Sequence, residues 1–193
     1  MRFTKKRYLS VVVLALIVGV YGQALVAQTP DDKTILFVCE HGAAKSVIAT
    51  AYFDKLAKER GLRYRATFRG TNPDPTLAAA AVEGLKSDGI DTRGWTPQLV
   101  TRKDLDAAAR VVTMGCNVPG KEAVAGKLME WNDISSPSQN YAVARDEIVK
   151  RVEILIDELA RQEQDTKKGK KKKKMAQAPI ERNGIINDDS ITE

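Results

Sequence analysis

Several scarcities bound what this chain can be. Of 193 residues only two are cysteine, Cys39 and Cys116, and one is histidine, His41. Two cysteines cannot make the dense disulfide framework of a cysteine-rich secreted domain. Cys39, His41 and Cys116 offer three metal ligands without a fourth or a recognised zinc spacing, so no metal is assigned. The glycine fingerprint of a dinucleotide site is missing, and no cofactor is expected. The apolar run Leu9 to Tyr21 is shorter than the roughly 20 residues a helix needs to cross a bilayer.

Net charge is also scarce where it would matter. The formal charge of +6 is concentrated at the ends: Arg2, Lys5, Lys6 and Arg7 give +4, residues 164–193 give +3, and Asp31 and Asp32 give −2. About +1 remains for residues 33–163. A folded surface so nearly neutral carries no nucleic-acid footprint.

What is present suits one soluble domain with extensions. Hydrophobic residues make up 43% and charged residues 29%, and the length fits a single domain. Residues 1–27 read as an export signal, with a basic start, the apolar run and a small-residue cleavage site after Ala27. The expected location is therefore periplasmic or secreted, with an uncleaved N-terminal anchor as the alternative. Residues 28–32 form a linker and 33–163 the domain. Residues 164–193 are expected to be a disordered tail, because Lys167 to Lys174 form a like-charge block that cannot bury apolar surface. That block is either a solvated tail or a contact for an anionic surface such as lipid head groups.

Within the domain, strands and helices alternate. Thr34–Val38 is a short β-rich run, followed by a helix from Ser46 to about Arg60 that Gly61 ends. A second strand is expected near Tyr64–Arg69, a helix over Thr76 to Asp88, a third strand over Val111–Met114 and a weaker fourth over Lys127–Trp131. A last helix runs from Tyr141 to about Glu163, with Val143, Ile148, Val152, Leu155, Ile156 and Leu159 at helical spacing. Such alternation implies an α/β fold with a parallel sheet covered on both sides. Ligands of such sheets collect at the carboxyl ends of strands, here the loops after Val38, Met114 and Trp131.

The first of these loops is Cys39-Glu40-His41-Gly42-Ala43-Ala44-Lys45-Ser46. Between a strand and a helix, its backbone N–H groups can converge on one point, and the helix adds its positive N-terminal end. The same dipoles would stabilise a Cys39 thiolate. Lys45 adds a positive charge, while Glu40, if turned inward, opposes both. A plain βα turn with a buried cysteine fits the spacing equally well.

The loop resembles the C-x5-R-[ST] signature of low-molecular-weight tyrosine phosphatases and of the arsenate reductases that share their fold. It is most similar to the arsenate-reductase form Cys-x-His-Asn-Ala-Gly-Arg-Ser, with Cys39, His41, Ala43 and Ser46 in place. Gly70-Thr71-x-Pro73, Gly89-Ile90-Asp91, Pro97-Gln98-Leu99-Val100-Thr101 and Val111-Val112-Thr113-Met114-Gly115-Cys116 follow in family order. Pro119-Gly120-Lys121 and the segment Arg145 to Val152 extend the likeness over roughly residues 33–160. The resemblance implies a three-layer α/β/α domain with a four-stranded parallel sheet. It also implies an oxyanion site formed by Glu40, His41, Gly42, Ala43, Ala44 and Lys45, with Cys39 as nucleophile and Ser46 bonded to its thiolate. The ligand would be a phosphate-type oxyanion or phosphoester.

Three departures accompany it. Lys45 replaces the family arginine, a point charge where a planar fork would grip two oxygens. Gly42 replaces the asparagine that braces the loop. The family's acidic Asp-Pro falls at Ser136-Pro137, and a serine is a poor general acid. Asp133, three residues earlier, is the candidate replacement. Cys116 lies where the resemblance implies a resolving thiol, with a thiol reductant as partner; the alternative is a small buried hydrophobe. Three functions follow: a phosphatase or arsenate reductase, an anion-binding pseudo-enzyme, or a Cys39–Cys116 redox or structural pair.

Overall fold

The structure, a computed structural model, describes residues 33–176, with side chains to 173. The export signal, the linker and the last residues of the expected tail lie outside the described residues. Four parallel strands form one sheet in the order β2-β1-β3-β4: β1 Lys33–Cys39, β2 Tyr64–Gly70, β3 Arg110–Thr113 and β4 Leu128–Glu130. Each is within two residues of its expected position.

Strand β1 explains the layering. Alternate side chains of a strand point to opposite faces. Ile35, Phe37 and Cys39 enter one buried cluster, while Leu36 and Val38 enter the other. Helix α1 (Lys45–Glu59) and the C-terminal helix α4 (Tyr141–Ala176) cover the first face through Val47, Ile48, Phe53, Ile148, Val152 and Ile156. Trp131 joins that cluster, its ring 5.8 Å from Phe37. The second face is covered by α3 (Arg102–Ala107) through Leu105, and by a 3-10 helix over Lys121–Lys127 through Val124. Neither element was expected. Helix α3 starts on a capping box in which Thr101 and Asp104 satisfy each other's backbone N–H.

Three expectations are corrected. Helix α2 is Ala79–Ser87 and starts three residues late, because residues 71–78 hydrogen-bond to the signature loop instead of coiling. Val143 is 45% exposed; Ala144 is the buried residue of that turn. Helix α4 does not end at Glu163 but continues to Ala176. Residues 164–173 of it are almost wholly exposed, so no packing holds them. Lysine is a good helix former, and elongating an existing helix avoids the cost of nucleation. No helix among the described residues is long and apolar enough to cross a membrane.

Candidate active site

The signature loop takes its shape from the segment that follows β2. The carbonyls of Cys39, Glu40, His41 and Ala43 accept hydrogen bonds from the N–H groups of Thr71, Asn72, Asp74 and Ala78, at 2.8–3.2 Å. No peptide bond among the described residues is cis. Trans geometry therefore turns the N–H groups of Glu40, His41, Gly42 and Ala44 away from that segment. Helix α1 begins directly afterwards on Ala44, with no side-chain cap and no acidic residue in its first turn. Uncapped N–H groups at a helix start, beside a loop whose amides share one side, form a place for an anion.

Cys39 lies at the base of a cleft of about 260 Å³. Its sulfur is buried and 3.1 Å from Ser46 Oγ. Glu40, His41, Ala43, Ala44 and Lys45 line the cleft with it. Gly42 does not; it is buried, with its backbone packed against Gly70. The other walls come from Met114 and Gly115 after β3, from Ser136, Pro137 and Ser138 after β4, and from Asp74 and Ala78 after β2. The expected strand-end loops thus converge. The contribution after β2 was missed, although that loop also follows the carboxyl end of a parallel strand and by the same rule belongs there.

Lys45 donates to the Ile134 carbonyl at 2.7 Å. An ammonium has three N–H bonds, so this contact leaves donors for a ligand while tying the loop to the opposite wall. That wall is anchored onto α4, where Glu147 accepts from Ser135 N–H and Ser135 Oγ at 2.8 and 2.9 Å. These bonds hold the Glu147 carboxyl below its ordinary range.

Asp133 does not fill the acid's place. It is 75% exposed, does not line the cleft, and is paired to Arg151 at 2.6 Å. Ser136 and Pro137 do line the cleft. Cys116 is half-buried beneath the loop, its sulfur 3.5 Å from the Val38 carbonyl oxygen, and both cysteines are free thiols. Burial pushes the Cys116 thiol up to about 11, and the nearby Cys39 and Glu40 act in the same direction. Among the described residues no three histidine, cysteine or acidic side chains are placed to hold a metal ion.

A parallel α/β sheet with a buried cysteine in the loop between a strand and a helix N-terminus is an arrangement of cysteine-dependent phosphatases and arsenate reductases. The family description "Low molecular weight phosphotyrosine protein phosphatase" matches residues 34–128. A Halobacterium salinarum protein named "Putative arsenate reductase" is 28% identical over 127 residues, covering 63% of this chain and 89% of that one. The fold is that of a low molecular weight protein tyrosine phosphatase from T. tengcongensis, at 22% identity and a TM-score of 0.57 over 66% of this chain and 99% of the other. An arsenate reductase in the phosphate binding state is alike, at 22% identity and 0.56 over 66% and 98%. The chain is thus similar to low-molecular-weight phosphatases and to an arsenate-reductase relative, and it shares their fold.

Proposed function

We propose that the protein is a phosphatase whose Cys39 thiolate attacks the phosphorus of a phosphate monoester. The observation that carries this is the Cys39–Ser46 contact in the cleft, where the Ser46 hydroxyl can donate to the sulfur and aim it. Loop amides and the α1 N-terminus would take the phosphoryl oxygens, with Lys45 as the remaining cation. Hydrolysis requires only water as second reactant, which suits a site whose neighbouring thiol, Cys116, is raised by burial and weak as an attacking group.

Arsenate reduction by the same nucleophile is the second reading, favoured by the Halobacterium relative. There Cys39 would form a sulfur–arsenic bond, and an external thiol would supply the electrons. The sequence of residues 1–27 supports export of the protein to a periplasmic or secreted location.

The test compares reduced protein with Cys39→Ser in aryl-phosphate hydrolysis, thiol-dependent arsenate reduction and calorimetric phosphate binding. Hydrolysis lost in the variant supports the phosphatase. Arsenate reduction alone supports the second reading, and binding without either reaction indicates a pseudo-enzyme.

A further inference from the structure

The site needs a proton donor, and neither expected position supplies one: Ser136 is a hydroxyl, and Asp133 is held outside the cleft by Arg151. On the wall after β2, His41 Nδ1 lies 3.2 Å from Asp74 Oδ1. The same two residues are joined through the backbone, Asp74 N–H donating to the His41 carbonyl at 3.0 Å. The imidazole therefore has a fixed partner at one nitrogen. The other nitrogen, Nε2, is 3.8 Å from Glu40 Oε2, too long for a hydrogen bond, and so is not occupied by that carboxylate. Both His41 and Asp74 line the cleft that holds Cys39. Charges facing the ring are the Glu40 and Asp74 carboxylates and, lining the same cleft, the Lys45 ammonium.

We infer that His41 is the general acid of this site and that Asp74 is its positioning residue; this rests on the Cys39 nucleophile proposed above. In the first step the sulfur–phosphorus bond forms as the bond from phosphorus to the leaving oxygen breaks. That oxygen takes the proton from His41 Nε2 and departs as the alcohol. In the second step neutral His41 removes a proton from water, whose oxygen attacks phosphorus. The sulfur–phosphorus bond then breaks, releasing phosphate and restoring the thiolate. An imidazole oriented by a carboxylate is suited to both roles near neutral pH.

The experiment reads leaving-group dependence. Phenyl phosphate releases a poor leaving group that needs a proton; dinitrophenyl phosphate releases one that does not. His41→Gln is expected to lower kcat/KM, which reads the first step alone, about 10²-fold or more for phenyl phosphate. Its kcat/KM for dinitrophenyl phosphate should change little, whereas kcat on both esters falls because the second step loses its base. Asp74→Asn should show the same selective loss in smaller measure, with recovery in Asp74→Glu; thermal melts verify folding. Equal losses of kcat/KM on both esters, or no loss on either, overturn the assignment of His41 while leaving Cys39 untouched. A wild-type protein inactive on both esters contradicts the phosphatase itself, and this inference falls with it.

Discussion

Gly42 and Gly70 meet backbone to backbone. A β-carbon on Gly42 would fall 2.7 Å from the Gly70 nitrogen, and one on Gly70 would fall 2.9 Å from the Gly42 nitrogen. Gly42 also has a φ of +59°, which side chains rarely adopt. Where the resemblance implies a bracing asparagine side chain, this loop is braced by close approach to the end of β2. The clash is with backbone, which cannot step aside. Gly70→Ala should therefore destabilise the fold by about 1–3 kcal/mol and reduce turnover further by displacing the loop. Urea denaturation paired with an aryl-phosphate assay measures both.

Ser46 is fully buried, its Oγ 3.1 Å from the Cys39 sulfur. Ser46→Ala removes a hydrogen bond to a developing charge, worth about 1.5–3 kcal/mol, so kcat should fall about 10- to 100-fold. Phosphate affinity should stay near that of the parent. Steady-state kinetics with calorimetry separates the two quantities.

Lys45 has two duties, holding the Ile134 carbonyl and supplying the cleft's cation. Lys45→Met should weaken phosphate binding about tenfold or more, from loss of a charged hydrogen bond. It should also lower the melting temperature, because the Ile134 carbonyl loses its donor. Calorimetry and a thermal melt at one ionic strength check both effects.

Asp88 organises a polar cluster whose residues do not line the cleft. One oxygen accepts from Tyr52 OH at 2.8 Å and Tyr141 OH at 2.6 Å, and the other is 3.3 Å from Arg145. Burial alone would raise its pKa; the Tyr141 and Tyr52 hydroxyls and Arg145 outweigh that and hold it below the ordinary value. A depressed carboxylate contributes stability above its unfolded pKa, about 3.9, and loses it as pH falls through the folded value. Acidification below about pH 4 should therefore cost the parent protein more stability than Asp88→Asn. Urea midpoints across that range test the sign.

Much of this architecture was legible because its signals are local. Strand β1 could be read from residues 34–38, and the ends of α1 and of the second helix from Gly61 and Gly89. The loop chemistry followed from Cys39, Lys45 and Ser46 standing between a strand and a helix. What was not legible depends on partners distant in sequence. Nothing near Asp133 announces Arg151, which draws it away from the cleft. Nothing near His41 announces Asp74, because they meet only after β2 returns beside β1, pairing Cys39 with Gly70. Helix α3 was hidden by its shortness, six residues started by a side-chain cap rather than by an apolar stripe. The lysine block carries a charge signal but no local sign that the packed helix before it continues to Ala176.

The central claim is that Cys39 becomes covalently phosphorylated during turnover. Rapid acid quench of reduced protein mixed with excess dinitrophenyl phosphate, followed by peptide mass spectrometry, tests it most directly. The account predicts a phosphoryl group on the peptide containing Cys39, formed in the burst phase and absent from Cys39→Ser. Turnover without that adduct, or undiminished turnover in Cys39→Ser, would contradict it.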